Sequence, residues 1–244
     1  MIKTFIFLDL ETTGLITKNY MPKITEMSLI AVSRTAICDT TNIPPRILQK
    51  LVLPIHPNVP ISKNIQKLTG LSNENLKEFP CFNCDIYNLV VNFINRLAAP
   101  ACFVAYNGNN YDYPIFLSEF KNIEKNFSEN ILSIDMMHLV KEFFSHKQNP
   151  IKEMNIVQPT ASSSNCTEDR RGSNVRRQLD FTNNRPINFK LGSVYKHIFG
   201  NNAEDAHSAE GDCLTMIRCA IKLGNFFVEW TDCNAVPLTN YTSK

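Results

Sequence analysis

The segment Phe7-Leu8-Asp9-Leu10-Glu11-Thr12-Thr13-Gly14 places two carboxylates two residues apart in an apolar run. Side chains two apart on a strand share a face, so Asp9 and Glu11 point the same way. Acids that close repel one another, and apolar neighbours raise the cost of ionising them. A divalent cation resolves both problems. Mg²⁺ suits one or two carboxylates completed by waters and phosphate oxygens. Gly14 lets the backbone approach a ligand with no Cβ in the way. Taken alone, such a pair can equally be a strand-end acid matched by a Lys or Arg.

Two later segments carry compatible groups. Asn107-Gly108-Asn109-Asn110-Tyr111-Asp112 falls where a strand turns into a helix, the region where α/β folds collect ligands. By itself Asp112 is an ordinary first-turn acid favoured by the helix dipole. In His207-Ser208-Ala209-Glu210-Gly211-Asp212, Ser208 reads as a helix N-cap. That leaves His207 in the preceding loop and Asp212 about one turn into the helix. A loop histidine can meet a water and take its proton, although alone it is also a plain solvated side chain. Glu210 reads as a surface acid favoured by the dipole.

The elements that must position these groups follow from the hydrophobic pattern. Lys3 to Leu10, Ile24 to Ile37 and Leu48 to Ile55 read as three strands of an antiparallel meander. Then the pattern changes. Ser62 to Leu68 reads as a short helix closed by Gly70, and Asp85 to Leu97 carries a helical apolar stripe. Ala101 to Tyr106 and Ile131 to Ile134 read as strands. Tyr111 to Glu119, Asp135 to Phe144 and Ser208 to Glu229 read as helices. Three strands followed by alternating helix and strand predict a mixed sheet with helices on both faces. Residues 146 to 188 break the pattern with prolines, a serine run and few apolar residues, and read as a long flexible or partly disordered insertion within one domain spanning 1–244. Two arginine pairs there, Arg170-Arg171 and Arg176-Arg177, can form a phosphate-binding arm or belong to a solvated linker.

Composition narrows the class. With 43% hydrophobic residues and a net charge of +2, the chain can build a full core and is not a histone-like polycation. Cys81 and Cys84 form a lone CxxC with no second pair to complete a zinc site. The eight cysteines read as reduced thiols of an intracellular protein. No run approaches the ~20 apolar residues of a membrane span, so a soluble chain with no membrane partner is expected, in the cytoplasm, the nucleus or both.

Asp9, Glu11, Asp112, His207 and Asp212 together match the Asp-x-Glu, middle Asp and late His-x4-Asp of the DnaQ-like exonucleases of the DEDDh subgroup. Within that group the chain resembles the three-prime repair exonucleases most. Pro22-Lys23-Ile24-Thr25-Glu26, Leu68-Thr69-Gly70-Leu71-Ser72 and the segments quoted above carry the likeness, from residue 3 to about 228 with a gap over the insertion. The resemblance implies a ribonuclease H-like, five-stranded mixed α/β sheet and removal of nucleoside 5′-monophosphates from DNA 3′ ends, single-stranded or frayed. It implies two Mg²⁺ ions, replaceable by Mn²⁺, on Asp9, Glu11, Asp112 and Asp212, with Asp9 bridging. His207 becomes the general base. Glu11, Thr12, Leu15, Leu68 and Tyr111 become the pocket for terminal nucleotides, and a homodimer through an edge strand is implied. RNA 3′ ends remain an alternative substrate, and a non-catalytic nucleic-acid-binding relative an alternative class.

Overall fold

The computed structural model describes residues 1–39, 45–146, 185–204 and 206–241. Among these, six strands form one sheet in the order β3-β2-β1-β4-β5-β6. The meander is present: β1 (Thr4–Thr12), β2 (Ile24–Ser33) and β3 (Ile47–Pro54) pair antiparallel. On its other side β1 pairs in parallel with β4 (Ala101–Ala105), which pairs in parallel with β5 (Leu132–Asp135). The mixed α/β architecture is thus the one expected. Beyond the five expected strands there is a sixth, the two-residue β6 (Val236–Pro237), antiparallel to β5.

Two expected elements are divided in the structure. The second strand stops at Ser33, because Ser33 caps a short helix, α1 (Arg34–Cys38), by accepting from the Ala36 amide at 3.1 Å. The last expected helix is two. Gly224, at φ 53°, separates helix α8 (Ala209–Leu223) from α9 (Asn225–Asn234). Most of the expected insertion, including Arg170, Arg171, Arg176 and Arg177, lies outside the described residues.

Helices α2 (Lys63–Thr69), α3 (Asn73–Leu76), α4 (Cys84–Asn95) and α5 (Asp112–Asn122) follow the meander. Helices α6 (Met136–His146) and α7 (Leu191–Phe199) precede α8. Strict alternation along β1 divides the core. Phe5 and Phe7 pack with Met216, Ile217 and Phe227 on the face covered by α8 and α9. Ile6, Leu8 and Leu10 pack with Val90, Phe93 and Phe116 on the face covered by α4 and α5. Asp9 and Glu11 continue the Phe5–Phe7 row, so they fall on the α8 face.

Candidate active site

The site lies where β1 outruns its parallel neighbour. The β1–β4 ladder ends at the pair Phe7↔Val104, so Asp9 and Glu11 project past the carboxyl end of β4. Helix α8 lies across β1 and β2, and the Cys213 thiol approaches the Phe7 carbonyl at 3.4 Å. Its first turn is fixed from two directions. Ser208 accepts from the Gly211 amide at 3.1 Å, and Glu26 on β2 accepts from the Ala209 amide at 2.9 Å. Lys50 on β3 holds Glu210 at 2.7 Å, so Glu210 is an ion-pair partner as well as a first-turn acid. This docking brings Asp212 to the strand pair: ligand oxygens of Asp9, Glu11 and Asp212 all lie within 4.8 Å of one another.

Asp112, on α5, is 3% exposed and lies outside that 4.8 Å group, but near enough for its charge to raise Asp9. The turn before it is tightly specified. Asn107 adopts φ 61°, which Asn tolerates better than most residues. A Cβ at Gly108 would stand 2.6 Å from the Ala105 Cβ and 2.9 Å from the Tyr113 ring, so only glycine fits. By contrast, a Cβ at Gly14 would meet Tyr20 at an ordinary 3.7 Å. Asp135, read from sequence only as a helix start, anchors the turn from beneath. Its buried carboxylate accepts from the amides of Asn107 (2.9 Å), Asn109 (3.3 Å) and Met137 (2.9 Å). Asp135 and Glu26 are the positioning residues the sequence did not reveal, because the amides of Asn107, Asn109 and Ala209 that they hold are distant in the chain.

Burial dominates the electrostatics. It holds the Asp9 carboxyl well above the usual range, reinforced by Asp112, Asp212, Glu11 and Glu26. Glu11 is pushed up to about 8 by burial and then by Asp212, Glu26 and Asp112. Burial likewise lifts Asp112 to about 8, against its own amide and that of Leu10. Asp212 is raised by burial, opposed by the charge and the backbone amide of His207. No Lys or Arg among the described residues forms an ion pair with these four acids, so the strand-end pairing that would make them structural is missing. An all-oxygen donor set this concentrated fits a hard divalent cation.

A pH dependence follows. The folded protein retains Glu11 and Asp112 protons that the unfolded chain gives up near pH 4, so the metal-free protein is expected to lose stability as pH rises toward about 8. The gain in Tm on adding Mg²⁺ over EDTA should therefore grow between pH 5 and pH 8. Equal gains at both pH values in a thermal melt would contradict this account.

The remaining expected site residues are placed as follows. Tyr111 bridges the end of β1: its hydroxyl is 2.5 Å from the Thr12 hydroxyl and donates to the Gly14 carbonyl at 2.8 Å. Leu15 and Leu68 are 73% and 50% exposed, which removes core packing as their role. Leu68, Gly70, His207, Ser208 and Leu214 line an open groove of about 500 Å³. His207 itself is exposed and adopts φ 70°.

The chain is similar to known proteins over most of its length. The exonuclease family profile, RNase_T, matches residues 6–158. Three-prime repair exonuclease 1 of Bos taurus is 30% identical, the match covering 98% of this chain and 69% of that protein. Among solved structures, the nuclease domain of 3′hExo, a DEDDh family member bound to rAMP, superposes with a TM-score of 0.60 at 12% identity, over 91% of this chain and 92% of that one. The zinc-bound complex of E. coli exonuclease I with single-stranded DNA gives 0.61 at 12% identity, over 95% of this chain but only 43% of that one. No helix among the described residues is long and apolar enough to cross a membrane. With more than half of its length matched by the profile and 98% of it aligned to a relative at 30% identity, the chain belongs to the exonuclease family and groups with the three-prime repair exonucleases.

Proposed function

We propose that this chain, acting as one domain over residues 1–244, is a 3′→5′ exodeoxyribonuclease that releases nucleoside 5′-monophosphates from single-stranded or frayed DNA ends. The observation that carries the reading is the meeting of Asp9, Glu11 and Asp212 within 4.8 Å, next to a groove lined by His207. Asp9, Glu11, Asp112 and Asp212 would hold two Mg²⁺ ions, with Mn²⁺ as a substitute, and such cations activate water and stabilise a leaving 3′ oxygen. His207 takes the proton of the attacking water; its position on an exposed loop gives the imidazole access to solvent. Leu15 and Leu68 offer exposed apolar surface against which terminal bases can be wedged, where stacking is worth ~1–3 kcal/mol per base. Tyr111 and Thr12 brace the turn carrying Leu15, and Glu11 faces the terminal nucleotide.

RNA is the competing substrate, favoured by the rAMP held by the 3′hExo relative of the same fold. DNA is preferred here because a relative 30% identical over 98% of this chain is named a repair exonuclease, and the exonuclease I relative of the same fold is held in a complex with single-stranded DNA. Matched end-labelled DNA and RNA oligonucleotides decide the point by product mass. Mononucleotides from DNA in Mg²⁺, and none in EDTA, are expected. Turnover surviving EDTA would remove the metal assignment, and binding without cleavage would make the chain a non-catalytic relative. A homodimer through an edge strand is proposed with it; among the described residues β3 is the longer of the two edge strands, β3 and β6.

A further inference from the structure

A second reactive group lies apart from the carboxylates. His56 follows β3, and Cys81 precedes α4. A parallel bridge joins the two residues, and the His56 amide donates to the Pro80 carbonyl at 3.1 Å. This backbone pairing sets the Cys81 sulfur 3.5 Å from His56 Nδ1. Both side chains are partly exposed and open on a pocket of about 220 Å³, which Lys23, Phe82, Glu119 and Asn122 also line. The pocket is polar on one side: Lys23 meets the buried Glu119 at 3.1 Å. The other described thiols lack this setting. Cys102, Cys213 and Cys219 are buried, and burial pushes each thiol up, Cys219 to about 12. Cys38, Cys84 and Cys233 are exposed, and among the described residues Cys81 is the thiol hydrogen-bonded to an imidazole.

A thiol hydrogen-bonded to an imidazole, at the mouth of a cavity, is the arrangement that activates a cysteine nucleophile. We propose that Cys81 is a covalent modification site for small hydroperoxides, with His56 as its proton acceptor. The thiol proton passes to Nδ1 and the sulfur attacks the distal peroxide oxygen. The S–O bond forms as the O–O bond breaks. The leaving oxygen recovers the proton from the imidazolium as alcohol or water. Sulfur is oxidised by two electrons to the sulfenic acid and the peroxide is reduced. Cys84, three residues on and exposed at the start of α4, is the thiol placed to capture that product as a disulfide.

Limiting hydrogen peroxide with dimedone as the sulfenic-acid trap tests this on the full chain and on Cys84→Ser, in which capture is blocked. In Cys84→Ser, peptide mapping should show adduct on Cys81 about tenfold faster than on Cys38 or Cys233. His56→Gln should slow the Cys81 adduct about tenfold with Tm unchanged. Equal labelling of Cys38, Cys81 and Cys233 would overturn the proposal, as would a His56→Gln protein that is labelled as fast as its parent. If His56→Gln melts early, the ranking among cysteines in the His56-containing protein decides alone. None of these readouts depends on nuclease activity.

Discussion

Asp9→Asn is expected to leave about a thousandth or less of wild-type nuclease turnover, a loss of about 4 kcal/mol in transition-state stabilisation, and at the same time to raise the Tm of the metal-free protein. Both effects have one cause. Asp9 stands at the centre of the cluster, where burial and four neighbouring acids all oppose its ionisation. As the proposed ligand, Asp9 would use that charge to bind a cation; without one, the charge is a liability. Asparagine keeps the size and removes the charge. Each kcal/mol of relieved repulsion is worth roughly 2–4 °C in a chain of this size. The gain should be largest near pH 8 in EDTA and shrink toward acid, as the wild-type carboxyls protonate. Melts of both proteins in EDTA at pH 5 and pH 8 check it. A variant that melts earlier than wild type at pH 8 would mean that Asp9 stabilises the fold through a partner other than metal.

His207→Asn should behave differently. Turnover is expected to fall by about 10²–10⁴, the range for losing a general base, with the Mg²⁺-induced gain in Tm retained. Asparagine is the informative replacement because His207 adopts φ 70°, a conformation Asn tolerates and Ala does not. It also keeps the backbone amide that opposes the rise of Asp212. Turnover within a few-fold of wild type would take the proton-transfer role away from His207. Loss of the Mg²⁺ response would make it a ligand. The pair of variants therefore separates holding the cations from moving the proton.

Much of this site is local and could be read along the chain. The two-residue spacing of Asp9 and Glu11 fixes their common face whatever the fold. Ser208 caps its helix through its own neighbours, so the loop position of His207 followed from local chemistry. Local signals were also misjudged. The apolar run into Ile37 concealed the cap at Ser33, and one glycine, Gly224, was enough to split a continuous apolar stripe into α8 and α9. Leu15 and Leu68, expected in the nucleotide pocket and not in the core, stand exposed, a property of the finished surface and not of residue type.

The sequence by itself determined which groups are candidates for the chemistry, because residue type, strand period and capping act within a few residues. Tertiary structure decided whether they meet. The β1–β4 ladder stops at Phe7, exposing the end of β1, and Glu26 and Lys50 seat α8 so that Asp212 arrives there. Asp135 ties down the turn that delivers Asp112, and a strand bridge sets His56 beside Cys81. These contacts join residues from about 25 to nearly 200 positions apart. Hydrophobic periodicity places side chains on a face, but it carries no information about which distant face will be packed against it; only closure of the whole core supplies that.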